Sequence, residues 1–369
     1  VTRLTGLSVP ESMRDSFLLT DYRGAATKCQ SLVIKLRPDG SSFKVFNVDP
    51  LVEGLAASDV ELGYDGNLYF ADYGGGWSAN RNGTVQVLRP TDEDARTNGA
   101  ETARMFEKGF SHRSIAELES LLDSADQRVR QEAQFALVEK GEKSIPTLIE
   151  LIEEQDDFAL SSLHALWALG QLYREGVEDA SVPILSALQS EHPELRANAA
   201  RVAGDVGIGE ARDLLISALE DSSSRVVSLS AIALGRLSEP GDREAEDALF
   251  DAVGENQGSD FEVGLRHSFL SALARISTAE SLAEISASDS YERRLIAVLL
   301  LRRLQHQDLS LYLEDSHNLV RHEAIRAVYD TPALNTPAGS KLISLELADL
   351  PVYLQLRILG AGFRSQSAE

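Results

Sequence analysis

The chain has 369 residues, of which 43% are hydrophobic and 25% charged, and its formal net charge is −23 at pH 7. This composition is typical of a globular protein with room for two or three domains. Residues 1–110 carry 15 acidic and 12 basic side chains, so about −20 of the net charge lies on the remainder. Such a surface repels phosphate, which argues against nucleic acid or an anionic membrane as a partner. No apolar run approaches the roughly 20 residues that span a bilayer.

The single cysteine, Cys29, excludes an internal disulfide, a thiolate zinc cluster and a covalent c-type haem site. The chain contains no P-loop, dinucleotide-binding glycine fingerprint, His-Glu-x-x-His or Gly-x-Ser-x-Gly pattern. Nucleotide-binding, zinc-protease and serine-hydrolase functions therefore have no motif here. The chain opens at Val1 without a signal pattern, so we expect a fragment or a processed product of a longer protein.

Residues 16–89 show the period-two alternation that is typical of β-strands. The turn signals Asp39-Gly40 and Asp65-Gly66 predict tight hairpins. Six strands at this spacing are typical of one and a half four-stranded blades of a β-propeller, and a closed propeller needs more blades. We therefore predict a partial β-propeller over residues 1–92 whose beginning lies upstream. The predicted strands are residues 16–22, 30–37, 42–48, 59–63, 67–73 and 83–89.

Oxygen-bearing side chains cluster at one of these hairpins. Asp59, Asp65 and Asn67 suggest a calcium site, because hard cations take carboxylate and amide oxygens. The alternative is that Asp65-Gly66-Asn67 serves only as a turn. Aromatic side chains nearby suit either a sugar-stacking platform or packing against a neighbouring blade, and they are Tyr69, Tyr73 and Trp77.

After a linker predicted over residues 93–112, the chain repeats a helical kernel in which a small side chain follows an apolar anchor four residues later. Successive anchors are 66, 31 and 94 residues apart, close to two, one and three units of about 32 residues. His164 and His267 fall inside helices of weaker units, where a hydrogen-bonded packing role is favoured. The anchors are Val129, Leu195, Val226 and Val320, and the small residues are Ala133, Ala199, Ser230 and Ala324.

A shorter amphipathic segment precedes each kernel across a polar turn, which predicts a helix hairpin repeated side by side. Each hairpin has two apolar faces to cover, so the array forms an α-solenoid. The unit length, the aspartate-rich turns and an arginine just after the anchor make residues 113–369 similar to HEAT repeats. The predicted fold is thus mostly α, a HEAT-type solenoid preceded by a small antiparallel β-segment.

Such an array offers a long surface for holding another protein. The alternative for its regularly spaced arginines is that they pair with the turn aspartates of the next repeat. The predicted interaction residues are Arg130, Arg196, Arg225, Arg294, Arg321 and His322.

The stretches "ESMRDSFLLTDYRG", "LVIKLRPDGSSFKV", "DVELGYDGNLYFADYGGGW" and "GTVQVLRP" resemble the last part of the glucose/sorbosone dehydrogenase propeller. The likeness is to large bacterial proteins in which HEAT repeats and then a c-type cytochrome domain follow the propeller. It implies a periplasmic or extracytoplasmic quinoprotein that uses pyrroloquinoline quinone (PQQ), with calcium, to oxidise a sugar or an alcohol. Arg23 matches one cationic contact of that family, whereas its lysine and two further arginines are replaced by Tyr22, Ala56 and Ser58.

Two functions follow. In the first, the chain is the C-terminal fragment of a quinoprotein dehydrogenase-like protein, and the array is a scaffold between the propeller and an electron acceptor such as a c-type cytochrome domain. This segment is not expected to catalyse by itself. In the second, the chain is a non-catalytic HEAT scaffold that binds another protein. A third function, a HEAT-like lyase acting on a bilin, explains neither the strands nor the spacing.

Overall fold

The computed structural model describes residues 1–74, 83–153, 159–255 and 263–366, which are mostly helical with a small antiparallel β-segment first. The chain divides into two compact units, Val1–Ala187 and Leu188–Glu369. Both predicted domain boundaries, at residues 92 and 113, fall inside the first unit, and they stay predictions. None of the helices in the described ranges combines the length and the apolar character that a membrane crossing requires.

The strands are β1 Thr2–Arg3, β2 Phe17–Asp21, β3 Gln30–Asp39, β4 Ser42–Glu53, β5 Ala57–Leu62, β6 Leu68–Asp72 and β7 Thr84–Leu88. The helices of the first unit are α1 Glu93–Lys108, α2 Ile115–Leu121, α3 Gln127–Glu139, α4 Ile145–Glu153, α5 Leu160–Arg174 and α6 Ser181–Ala187. Those of the second are α7 Pro193–Val206, α8 Arg212–Ser217, α9 Ser224–Leu237, α10 Arg243–Glu255, α11 Val263–Ile276, α12 Ala279–Glu284, α13 Tyr291–Leu304, α14 Asn318–Asp330, α15 Pro337–Ile343 and α16 Val352–Gln366.

The β-segment consists of two antiparallel sheets with strand orders β1-β2-β3-β4 and β5-β6-β7. All six predicted strands are confirmed, and the two-residue β1 is an addition. Gly40 and Gly66 have positive φ of 59° and 78°, as the predicted hairpin turns require. Within the described residues, neither sheet closes into a barrel or a propeller.

The two sheets share one hydrophobic core. Leu18 of β2 lies opposite Val33 of β3, and Val60 of β5 lies opposite Phe70 of β6. These four side chains, with Leu4, are at most 5% exposed and belong to one cluster. Alternate residues of each strand thus face the other sheet, as the period of two requires.

The segment predicted as a linker contains helix α1, and its role as a linker stays a prediction. The side chain of Asp92 caps the helix by accepting from the Ala95 N–H at 2.8 Å, and Gly109 ends it with φ 78°. Gly99 lies so close to the β5–β6 turn that an added Cβ would stand 2.2 Å from the Asp65 carbonyl oxygen. Only glycine fits this contact.

The β-segment also contacts the first helical repeat. The ring of Tyr64 stacks on Phe106 of α1 with centroids 3.8 Å apart. Arg128 of α3 donates to the Leu62 carbonyl at 2.6 Å, and its guanidinium lies 5.3 Å from the Tyr64 ring centroid. These contacts make the sheets and the first helices one packed body.

The predicted kernels are confirmed as helices α3, α7, α9 and α14, and the weaker units are α5, α11 and α13. Every predicted anchor is at most 2% exposed, and every predicted small residue is 0% exposed. The tightest helix contacts lie elsewhere, at glycines. An added Cβ on Gly204 of α7 would stand 2.6 Å from the Ala233 Cα of α9, and one on Gly235 of α9 would stand 2.5 Å from the Ala272 Cα of α11.

Candidate functional site

Two arginines of the second unit form the same buried ion pair with the next repeat. Arg196 of α7 forks onto Asp221 with N–O distances of 2.7 and 3.0 Å, and Arg294 of α13 forks onto Asp315 with the same two distances. Each guanidinium also donates to a carbonyl of the turn before its own helix. We call these two pairs the arginine ladder. They confirm, for these residues, that the arginine pairs with a turn aspartate of the next repeat.

The ladder aspartates also accept from the backbone N–H of the residue that precedes the following helix. Asp221 accepts from the Ser223 N–H and Asp315 from the His317 N–H, both at 2.8 Å. Burial by itself would raise the pKa of the Asp221 carboxyl, but hydrogen bonds from Arg196 and from that N–H hold the pKa below its ordinary value. These hydrogen bonds therefore favour the ionised form of the Asp221 carboxyl.

Arg130 lies in the first unit and is 5% exposed. Its Nε donates to Nε2 of His164 at 3.2 Å, and His164 Nδ1 lies 2.8 Å from the side-chain amide oxygen of Gln134. Gln134 in turn donates to Gln171 at 2.9 Å. We call these four side chains the buried polar cluster. Burial and, next, the adjacent Arg130 charge lower the pKa of His164 to about 4.

The cluster confirms the packing role predicted for His164. The same prediction is wrong for His267, which is exposed on α11. Arg225, another predicted interaction residue, donates to Glu194 of α7 at 3.0 Å. Arg130, Arg196 and Arg294 are thus placed inside the array, and a binding role for them stays a prediction.

The last two predicted residues, Arg321 and His322, lie on α14. The ring of His322 meets the ring of Tyr353 edge-on at 6.4 Å. Arg321 stands at the fourth position of its helix, as Arg196 does in α7, but its Nη2 donates to Asn318 of its own helix at 2.9 Å. Its Nε is buried and has no hydrogen-bond partner within the described ranges.

Arg321 lines a groove of about 520 Å³ between α14 and the α15–α16 hairpin. We call it the end groove. Lys341 also lines it, together with three acidic side chains, Glu314, Glu346 and Asp349. Lys341 donates to the Ser310 carbonyl at 3.0 Å and forms an ion pair with Glu314 at 2.8 Å, and its side chain stays 38% exposed.

Asp349 precedes α16 by three residues, as Asp221 precedes α9 and Asp315 precedes α14. It therefore stands where the ladder places an acceptor, yet the structure shows no ion pair between it and Arg321 among the described residues. The ion pair that would continue the arginine ladder at Arg321 and Asp349 is therefore not formed among the described residues, and both residues line the groove. A guanidinium that lines a groove can donate hydrogen bonds to a carboxylate from outside the chain.

Sequence reasoning did not identify Lys341 or Asp349. The available signal was positional, because "LELADLPVYLQL" repeats the turn aspartate before an apolar helix. The described residues include no group of three or more His, Cys, Asp or Glu that could hold a metal ion.

Arg23, predicted to contact the quinone, pairs with Asp21 at 2.7 Å and holds the pKa of that carboxyl below its ordinary value. Its backbone N–H donates to the buried Cys29 sulfur at 3.2 Å. The neighbouring Tyr22 ring meets Tyr73 edge-on at 6.0 Å. The guanidinium of Arg23 is thus already paired with Asp21, and quinone binding by it stays a prediction.

The predicted calcium residues have separate partners. Asp65 accepts from Asn67 at 2.6 Å and from the Tyr69 hydroxyl at 2.7 Å. Asp59 lies 3.9 Å from the Val1 amino group, and strand β5 carries the chain about 10 Å from Asp59 before the turn begins. The structure therefore brings Asp65 and Asn67 together as a turn, without Asp59. Among the aromatic candidates, Trp77 lies outside the described residues.

Comparisons with known proteins concern the helical part. The model of HEAT repeats matches residues 181–274. Human deoxyhypusine hydroxylase in complex with glycerol is 20% identical over 69% of this chain and 96% of that chain, with a TM-score of 0.29. The CpcE–CpcF complex of phycocyanin lyase from Nostoc sp. PCC7120 is 16% identical over 69% and 95%, with a TM-score of 0.33.

The archaeal HEAT-like repeats protein from Thermococcus onnurineus NA1 is 14% identical over 69% of this chain and 98% of that chain, with a TM-score of 0.31. No curated protein sequence matches the chain. Similarities at this level concern the fold alone. Together with the repeated helix hairpins, the match over residues 181–274 establishes that the chain contains HEAT repeats.

Proposed function

We propose that the chain is a non-catalytic scaffold that holds another protein through the HEAT array. One observation carries the proposal. Arg196 and Arg294 each form a ladder ion pair, whereas Arg321, at the same helix position as Arg196, lines the end groove and forms no ion pair among the described residues. A carboxylate of a partner protein would pair with Arg321 in the way that Asp221 pairs with Arg196 and Asp315 pairs with Arg294.

The sequence offers a direct test, because Lys341 is the only lysine after Lys143 and it lines the end groove. An amine-reactive cross-linker applied to the purified chain in an extract of the source cells should join one partner protein to Lys341. Mass spectrometry of the digest identifies the joined peptides. Absence of any partner peptide on Lys341 would contradict the proposal.

Two variants make this test specific. Arg321→Gln removes the groove guanidinium and should reduce the yield of the cross-link about tenfold. Arg225→Gln removes an arginine that pairs with Glu194 instead, and it should leave the yield unchanged. Equal losses in both variants would show that the groove is not the binding site.

A second candidate is the dehydrogenase-like fragment, in which a periplasmic propeller passes electrons through the array to a cytochrome domain. What motivates it is the strand order, because successive propeller blades also consist of antiparallel meanders. Apolar side chains on β4 are 46–55% exposed, as expected of a face that a neighbouring blade would cover, and they are Val45, Phe46 and Val48.

The residues present do not fit the cofactor. Arg23 is paired with Asp21, Tyr22 and Ser58 carry no charge, and Ala56 is 1% exposed with no room for a cation. We therefore expect calorimetric titration of PQQ, with and without calcium, to show no binding to this chain. A Tyr22→Lys, Ser58→Arg variant is the control for restored charge. Micromolar binding by the unmodified chain would favour the dehydrogenase-like candidate over the plain scaffold.

A further inference from the structure

Arg266 stands at the ladder position of helix α11 but has no ladder partner. It is the fourth residue of its helix, as Arg196 is of α7 and Arg294 is of α13. Those two arginines each meet an aspartate that lies three residues before the next kernel helix. The side chain of Arg266 is half-buried, and no carboxylate of the described residues pairs with it. The reason lies in the turn that follows.

Ser288 occupies the position where the ladder has an aspartate. It precedes α13 by three residues, as Asp221 precedes α9 and Asp315 precedes α14. Its hydroxyl accepts from the Ser290 N–H at 3.3 Å, and each ladder aspartate likewise accepts from the N–H two residues after it. The serine thus keeps the turn contact of the aspartate but brings no charge to Arg266.

Helices α11 and α13 also leave a gap between them. Where α9 packs on α11, Gly235 meets Ala272, the tenth residue of α11. The tenth residue of α13 is Leu300, which is too large for the same close approach, and α13 packs more loosely on α11 than α11 does on α9. Leu270 of α11 is therefore partly exposed, although Ala231, its counterpart in α9, is fully buried.

This gap belongs to a groove of about 360 Å³ across α11, α13 and α14. We call it the leucine groove. Leu270 of α11, Leu299 of α13 and Leu319 of α14 give it an apolar surface, and Arg266 also lines it. Because α9 packs on α11 and α16 packs on α14, the groove lies between repeats and not at an end of the array.

The charges of the leucine groove favour a carboxylate as ligand. The acidic side chain that lines it, Glu323, already accepts from Arg326 at 2.6 Å. Arg266 has no such acceptor among the described residues, so its positive charge is uncompensated there, in a chain whose net charge is −23. An ion pair with a half-buried guanidinium is stronger than one with an exposed guanidinium, because less water screens it.

We infer that the leucine groove binds an extended segment of another protein, one with apolar side chains at alternate positions and an acidic residue at the end that lies over α11. The apolar side chains would cover the leucines of the three helices. The carboxylate would meet Arg266, as an aspartate meets the arginine in the ladder. Packed helices lie about 8–10 Å apart, so roughly six extended residues would cross the groove.

The inference goes beyond the binding proposed at the end groove, because helix α14 presents different residues to the two grooves. Leu319 and Arg326 line the leucine groove, whereas Arg321 and Ile325 line the end groove. A protein held in one groove therefore does not have to occupy the other.

The first test asks whether Arg266 lacks a carboxylate. Ser288→Asp supplies one from within the chain and should raise the midpoint of thermal unfolding by about 2–4 °C. The same substitution in an Arg266→Gln background should give no rise, because the added charge then has no arginine at that position to pair with. An equal rise in both backgrounds, or no rise in either, would overturn the inference.

The second test uses two synthetic peptides of about ten residues. Both carry leucines at alternate positions, and they differ only in having two glutamates or two glutamines at one end. Fluorescence anisotropy with the full chain should show about tenfold tighter binding of the glutamate peptide. Ser288→Asp should remove that preference, because its own carboxylate then occupies Arg266. Equal affinities for the unmodified chain, or no binding of either peptide, would contradict the proposed ligand.

Matched variants locate the site. Arg266→Gln should remove the preference for glutamate, whereas Arg303→Gln, which changes an exposed arginine of α13 outside the groove, should keep it. Leu319→Ser should weaken both peptides about tenfold. Its control is Leu304→Ser, since Leu304 is 51% exposed on α13 and Leu319 is 54% exposed on α14. Equal losses in the groove variants and their controls would place the peptides elsewhere.

Light scattering tests whether a second copy of the chain fills the groove. A concentration-dependent dimer that Arg266→Gln abolishes would overturn the partner segment, and a monomer at all concentrations supports it. The scaffold proposal has its own test, by cross-linking at Lys341 in the end groove. A cross-link at Lys341 without peptide binding would overturn only the inference about the leucine groove, and peptide binding without the cross-link would overturn only the proposal about the end groove.

Discussion

Arg294 and Asp315 form the more buried of the two ladder pairs, with side chains 9% and 7% exposed, against 17% and 11% for Arg196 and Asp221. Removing one partner of a buried ion pair leaves an uncompensated buried charge. The fold then loses much more stability than the intact pair contributes. The carboxylate of Asp315 would keep its bond from the His317 N–H but would lose its counter-charge.

We therefore expect Arg294→Gln to lower the free energy of unfolding by about 3 kcal/mol in urea titrations followed by circular dichroism. Arg225→Gln breaks an ion pair whose side chains are 26% and 46% exposed, and it should cost less than about 1 kcal/mol. If both variants lost the same stability, the ladder would have no special role in the fold.

His164 gives a pH-dependent contribution to stability. Its pKa is about 4 in the folded chain against an ordinary value of 6.5, so the unfolded chain binds a proton first as the pH falls. Stability is then lost as the pH decreases from about 6.5 to about 4. We expect unfolding free energy to be lower at about pH 5 than at about pH 7 by roughly 1 to 2 kcal/mol from this residue.

The measurement compares urea titrations of the unmodified chain and of His164→Gln at both pH values. The variant should lose that part of the pH dependence, because glutamine does not titrate. His267→Gln changes an exposed histidine and should keep the full dependence. Parallel curves for the unmodified chain and His164→Gln would show that the buried polar cluster does not titrate.

At the scale of elements, the closest helix pairs depend on glycine. A Cβ on Gly235 would stand 2.5 Å from the Ala272 Cα, and backbone cannot move aside as the end of a side chain can. Gly235→Ala should therefore lower the free energy of unfolding by about 1 to 3 kcal/mol. Gly209→Ala is the control, since an added Cβ there meets nothing within 4 Å. The measurement is the midpoint of thermal unfolding of both variants. Equal midpoints would show that the close approach at Gly235 does not limit the size of its side chain.

Elements with strong periodicity could be predicted from sequence, and those defined by distant contacts could not. The anchors at Val129 and Val320 repeat with their small partners, so α3 and α14 are evident in the sequence. Helix α1 was missed although Asp92 and Gly109 mark its ends, because Gly99 interrupts the pattern for a reason that lies in the Asp65 turn.

The same limit applies to the site. The spacing of Arg196 predicts a turn aspartate as its partner, since consecutive repeats place them together. Arg130 stands at the same position but meets His164, whose approach depends on how α3 and α5 are rotated. The open rung at Arg321 could not be foreseen, because whether a guanidinium reaches Asp349 is decided by a few ångströms of helix placement.

At the scale of the whole molecule, charge governs the choice of partner. About −20 of the −23 net charge lies after residue 110. We expect no binding of a labelled DNA duplex at about 0.15 M salt up to tens of micromolar chain, measured by fluorescence anisotropy. A basic DNA-binding protein serves as the positive control. Salt-sensitive micromolar binding would show that the scattered arginines act together against the net charge.

The ladder also bears on how such an array changes over evolutionary time. Arg196 and Asp221 are 25 residues apart, whereas Arg294 and Asp315 are 21 apart, yet the two forks have the same N–O distances. The residues between them are therefore free to lengthen or shorten without disturbing the joint. Insertions and deletions should therefore accumulate in that intervening segment. A whole unit can be lost or duplicated if the ladder arginine can still pair with an aspartate three residues before the next kernel helix.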